Sequence, residues 1–278
     1  MTVRTRDATP SQWAMTQNNL GTAWKNLPTG DRGKNLCHAI EAYELALTVR
    51  TRDAAPSQWA MTQNNLGVVW ANLPMGDREE NLRRAIEAYE LALTVYTRDA
   101  VPWEWAVTQN NLGGAWRKMP TGDRGENLWR AMEAFELALK IRSRDAAPSA
   151  WAMTQNNLGN VWTEVRTGDR GENLQSAIEA YELALTVYTR DTAPSEWATT
   201  QNNLAIALTD LAEIEEHDRC VLLRRAIASS EGALEIWTSE AFPHNHSRTA
   251  KNLAIDVCRF LELGCGTQAD VDAIEPAT

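Results

Sequence analysis

The chain has 278 residues, 44% apolar and 23% charged, with a formal net charge of -10 and a pI of about 5.0. That balance supplies an extended core and argues against nucleic acid or an anionic membrane as the main ligand, because both select a basic footprint. No apolar run approaches the roughly 20 residues that span a bilayer, and the polar first residues do not read as a secretory signal, so the expected setting is cytoplasmic.

Residues Thr2 to Asp7 copy the segment 48–53, so 1–9 reads as the tail of a preceding helix, either in an excerpt of a longer array or in a protein without an N-terminal cap. From Pro10 onward one segment recurs every 46 residues, marked by Pro10, Pro56, Pro102, Pro148 and Pro194 and by Trp13, Trp59, Trp105, Trp151 and Trp197. Gln-Asn-Asn-Leu returns at 17–20, 63–66, 109–112, 155–158 and 201–204, and Gly-Asp-Arg at 30–32, 76–78, 122–124 and 168–170. A period of this length marks one continuous solenoid whose units bury their apolar faces against their neighbours.

Within the first copy, Pro10 takes a favoured first helical position, and Trp13, Leu20, Trp24 and Leu27 form one helical stripe. Pro28 and Gly30 end that helix, Asp31 caps the next, and Glu80, Glu126 and Glu172 complete a capping-box pattern in later copies. The second helix runs to about Arg52, with Leu36, Ile40, Tyr43 and Leu47 on one stripe and Ala39, Ala42, Ala46 and Val49 on the next, so it packs on two sides. Five such units span 10–55, 56–101, 102–147, 148–193 and 194–242, the last with a three-residue insertion before Asp218. Residues 243–263 read as a capping helix and 264–278 as a disordered acidic tail, for about eleven helices. The cysteines Cys37, Cys220, Cys258 and Cys265 ignore the repeat and form no CxxC pair, and they read as free thiols of a reducing compartment.

Asn-Leu-Gly-x-x-Trp at 19–24 and Ala39-x-x-x-Tyr43-x-x-Ala46-Leu47 resemble the two helices of the tetratricopeptide repeat. The likeness recurs in copies two to four and loosens in the fifth, where Ala205 and Leu208 replace Gly and Trp. The long unit and the Asn-Asn-Leu-Gly string are similar to the repeats of kinesin light chains, and most of all to arrays in bacterial signalling proteins that accompany a caspase-like CHAT domain. No such protease domain fits in this chain. The resemblance implies an all-α, right-handed α-solenoid of stacked antiparallel helix pairs, with first helices lining a concave groove.

If Leu20 marks the core direction, Met15, Asn18, Thr22 and Lys25 point the opposite way, flanked by Asn19 and Asn26. The resemblance then implies peptide-binding positions at Asn18, Asn19, Asn64, Asn65, Asn110, Asn111, Asn156, Asn157, Asn202 and Asn203. A carboxamide both donates and accepts, so an Asn ladder can hold a peptide backbone of any sequence; the competing reading is that one Asn per unit bonds a neighbouring helix or loop. The columns Thr22, Val68, Gly114, Asn160, Ile206 and Lys25, Ala71, Arg117, Thr163, Thr209 differ between copies, through ligand reading or through drift. Trp103 and Trp129 depart from the repeat in the middle unit and are candidate anchors, with Lys25 and Arg117 beside the ladder. The repeated tryptophans read as core, and the Arg83-Arg84 and Arg224-Arg225 doublets as outward helix pairs near Glu87 and Glu231.

His38, His217, His244 and His246 lie outside the repeated frame, and the spacing of His244, His246 and Cys258 matches no familiar metal pattern. The expected function is therefore a protein-protein interaction scaffold that takes a protein or peptide ligand, is not an enzyme and uses no cofactor. The alternative is a structural module that forms dimers or head-to-tail assemblies through its repeat ends.

Overall fold

A computed structural model describes residues 5–276, which hold twelve α-helices and no strand. The helices are α1 (Pro10–Asn26), α2 (Arg32–Leu47), α3 (Pro56–Asn72), α4 (Arg78–Leu93), α5 (Pro102–Lys118) and α6 (Arg124–Leu139), then α7 (Pro148–Glu164), α8 (Arg170–Leu185), α9 (Pro194–Ile214), α10 (Arg219–Ile236), α11 (Pro243–Glu262) and α12 (Gln268–Asp272). They form two compact units, one ending at Ile141 and the other starting at Arg142. Each is a stack of helix pairs. Odd-numbered helices from α1 to α9 are the first of a pair and even-numbered helices the second, with α11 following as the next first helix.

The recurrent motifs explain the pair. Proline opens every first helix, where its missing N–H costs nothing, and no side chain caps those ends. Gly30, Gly76, Gly122 and Gly168 turn the chain at φ between 76° and 83°, a left-handed conformation that glycine adopts without strain. Asp31, Asp77, Asp123 and Asp169 then accept the backbone N–H three residues on and cap the second helix. The following arginine reaches back seven residues to the end of the first helix, as in Arg78 Nη1 to the Ala71 carbonyl at 2.9 Å and Arg170 Nη1 to the Thr163 carbonyl at 2.9 Å. A buried Asn completes the corner, with Asn35, Asn81, Asn127 and Asn173 each donating to a loop carbonyl six residues earlier.

Burial runs between pairs as well as within them. In the first unit Leu36, Ile40 and Tyr43 of α2 pack on Leu66 and Val69 of α3 and on Leu73 at its C-cap, and Leu82, Ile86 and Tyr89 of α4 pack on Leu112 and Ala115 of α5 and on Met119 at its C-cap. In the second unit one cluster joins Leu174 and Tyr181 of α8, Leu204 and Leu208 of α9, Leu223 and Ile227 of α10, and Phe260 of α11.

Several expectations are corrected. The reciprocal half of the capping box does not form in the repeats, because Glu80 pairs with Arg83 and Arg84 and Glu126 pairs with Arg130. Arg225 pairs with Glu182, not with Glu231. Of the repeated tryptophans, Trp105 and Trp197 are buried, whereas Trp13, Trp59 and Trp151 are half-buried. Trp70 and Trp116 are half-buried too, each with an arginine, Arg84 or Arg130, lying over the ring.

The segment expected to be a disordered tail holds the twelfth helix, started by a reciprocal capping box between Thr267 and Asp270. Val271 of that helix is buried in the core beside Phe260, and a disulfide joins Cys220 to Cys265, so only Cys37 and Cys258 are free thiols. The helical tail expected over 1–9 lies partly outside the described residues, and Arg6 to Ala8 form a turn. Among the described residues no helix is long and apolar enough to cross a membrane.

Candidate interaction surface

Within the units, α1 touches α3, α3 touches α5 and α7 touches α9, while no two second helices meet as closely. The first-helix side is therefore the inner side of each stack. On α3 that side exposes Met61 and Asn72 and half-exposes Asn65 and Val68, at spacings of four, three and four residues. Its counterpart on α7 is Met153, Asn157, Asn160 and Glu164.

The two Asn columns part company here. Asn18, Asn110 and Asn202 are buried, because the side opposite Leu20 is where the next first helix lies. Asn18 Oδ1 accepts from Thr62 Oγ1 at 3.1 Å, and that hydroxyl in turn accepts from the buried Arg50 at 2.9 Å. Asn202 Oδ1 accepts from Thr249 at 2.8 Å. Asn64 and Asn156 are half-buried and accept from Asn111 at 3.2 Å and Asn203 at 3.3 Å, each donor being on the next first helix. The first column thus lies between successive repeats, and the second is the more exposed, although its Asn111 and Asn203 bond across to the first: Asn19 is exposed, and Asn65, Asn111, Asn157 and Asn203 are half-buried.

Lys25 and Arg117 are half-buried, and burial followed by the nearby Arg32 guanidinium holds the Lys25 ammonium below its ordinary range. Trp103 and Trp129 are exposed, at 44% and 60%. They do not form one patch. Trp103 opens α5 and Trp129 sits in the second turn of the returning α6, which separates them by roughly 15 Å along the helix axes at 1.5 Å per residue.

Sequence reasoning missed two features. Met15, Met61 and Met153 are 41%, 38% and 40% exposed on the inner face, an apolar and adaptable stripe signalled by methionine recurring in a column that otherwise holds Val107 and Thr199. The variable column at 22 is also tied to the second helix. Tyr43 passes Gly21 so closely that a Cβ there would lie 2.8 Å from the ring, and its hydroxyl bonds Thr22 at 3.0 Å. Tyr181 passes Gly159 in the same way and donates to Asn160 Oδ1 at 2.9 Å. In the third copy the ring is Phe135, without a hydroxyl, and the column holds Gly114, without a side chain. The second copy breaks the match, since Tyr89 keeps its hydroxyl while the column holds the apolar Val68.

No family model matches the chain, and no curated protein matches it. The geometry therefore carries the reading. Among the described residues no group of three or more His, Cys, Asp or Glu side chains is placed to hold a metal ion. A cleft of about 180 Å³ between α7 and α9 is bordered by Met153, Asn156 and Thr199, at the edge of the inner face.

Proposed function

We propose that the chain is a tetratricopeptide-type interaction scaffold, not an enzyme, whose first helices bind an extended segment of a partner protein, in a bacterial signalling setting as the resemblance implies. The observation that carries the reading is the inner stripe of exposed methionine and half-buried asparagine, which repeats in register while its neighbours at 22, 68, 114, 160 and 206 change. Methionine supplies adaptable apolar contact, asparagine pairs with a peptide backbone, and the changing column sets which side chains fit. The acidic total charge directs this surface toward protein and away from nucleic acid or membrane.

Peptides selected by display against the immobilised chain test it. A Met61→Glu, Met153→Glu variant should lose at least about tenfold in affinity for them, roughly 1.4 kcal/mol, while Leu91→Glu on a second helix should not. Failure to enrich any peptide, or equal loss in both variants, would sink the proposal.

One observation favours a second reading, self-association. Leu20 of α1 is 44% exposed, whereas its counterparts Leu66 and Leu112 are 8% and 9% exposed beneath a preceding helix pair. A preceding helix pair or a second copy of the chain would cover it.

A further inference from the structure

In four repeats a first-helix glycine faces a buried aromatic ring: Gly21 with Tyr43, Gly67 with Tyr89, Gly113 with Phe135 and Gly159 with Tyr181. The fifth repeat has Ala205 and Ser230 at these positions. Replacing a ring by a hydroxymethyl group removes far more volume than one added methyl restores. The deficit appears as a cavity of about 210 Å³ between α9 and α11, lined by Ala205, Ile206 and Ile255 and by Asn202, Ser230 and Asp256.

Asp256 gives the cavity its chemistry. It is 3% exposed, and its Oδ2 accepts from Thr209 at 3.0 Å. The other acids at the rim are neutralised, Asp210 by Arg170 at 3.0 Å and Glu213 by Arg259 at 2.9 Å. On the α10 side, Glu231 follows Ser230 in the chain and is half-buried, adding negative charge and no cation. Asp256 has no ion-pair partner among the described residues. Burial raises its pKa to about 6, against the smaller opposing effects of the Thr209 hydrogen bond and of Arg259, which lines the same cavity but is paired with Glu213, so at neutral pH the cavity holds a buried carboxylate without an ion pair of its own.

We infer that this cavity is a binding site for an aliphatic primary ammonium group, with the ammonium on Asp256 and the methylenes against Ala205, Ile206 and Ile255. The volume is below the roughly 300 Å³ at which sites for drug-sized ligands begin, so it suits a short alkyl chain. A guanidinium prefers a bidentate carboxylate, and Thr209 already engages one oxygen of this one. The chemistry has two sources, a free alkylamine or the lysine side chain of a protein, and the inference does not depend on a peptide lying along the inner face.

The full chain, labelled at isoleucine methyls, is titrated with n-butylamine, with Nα-acetyl-lysine methylamide and with n-butanol, following Ile206 and Ile255 by NMR. Saturable shifts with an amine and none with butanol are expected. Asp256→Asn should weaken binding at least tenfold. The double change Ala205→Gly, Ser230→Tyr, which rebuilds the pair of the other repeats, should abolish it with the helical circular-dichroism signal retained. Response to butylamine alone identifies a free amine as the source, and response to the lysine derivative identifies a protein side chain. Equal response to butanol, no saturable response to either amine, or undiminished binding in the double variant overturns the inference.

Discussion

A methyl group added at Gly67 and one added at Gly114 meet opposite surroundings. The first would lie 2.6 Å from the Tyr89 ring, and the second meets nothing within 4 Å. Gly67→Ala should therefore destabilise the chain by about 1–3 kcal/mol through overpacking, while Gly114→Ala should stabilise it by up to about 1 kcal/mol through helix propensity. Urea unfolding of both variants checks the pair, and equal effects would contradict the packing described. Asp256 gives a second test at this scale. Burial raises its pKa from 3.8 in the unfolded chain to about 6. Between those values the native state binds more protons than the unfolded one, so its contribution to stability is present below pH 3.8 and lost as pH rises toward 6. At 1.36 kcal/mol per pKa unit, Asp256→Asn should be more stable than the parent at pH 7 by on the order of 3 kcal/mol, and the two should converge as the pH falls toward 4. A difference that does not change with pH would remove Asp256 from this account.

Among the elements, the corner joining the two helices of a pair depends on side chains that bind backbone. Asn81→Ala would leave the Met75 carbonyl without its 2.8 Å partner, at a cost of about 1–2 kcal/mol in urea unfolding. The corner was legible in sequence because its instructions are local: proline at a helix start, glycine in a turn, aspartate at a cap. Lateral contact was not. A helical wheel drawn on α1 assigns Asn18 to solvent, and nothing within α1 reveals Thr62, 44 residues away. The tryptophans were over-assigned to the core for a related reason, since the side chains lying over Trp70 and Trp116 are charged ones from α4 and α6. Helix α12 escaped because it occurs once and carries no period to detect. It is fastened by the Cys220–Cys265 disulfide, which closes a separation of 45 residues. Loop entropy for that length is about 4 kcal/mol at most, so dithiothreitol should lower unfolding stability by about 2–4 kcal/mol in the parent and have no effect on a Cys220→Ser, Cys265→Ser variant.

For the molecule as a whole, the two proposed readings differ in mass. A scaffold that keeps its inner face for a partner stays at 31.0 kDa in light scattering over a hundredfold range of concentration. A mass that climbs with concentration, and that Leu20→Glu returns to the monomer, would put self-association in its place. The net charge of -10 opposes such association at low salt and weakens that opposition as salt rises, so the measurement is informative at both. The fit between ring and glycine also bears on how such a chain can change over generations. A recombination that exchanges whole 46-residue copies keeps each matched pair together. One that breaks within the corner separates them, and joining the Ala205 helix to a tyrosine-bearing partner would press a methyl group into a ring. The first four copies can trade halves without a clash between ring and glycine, though at the cost of the Thr22–Tyr43 or Asn160–Tyr181 bond, and the fifth can be exchanged only entire, which makes it the copy most insulated from homogenisation by its neighbours.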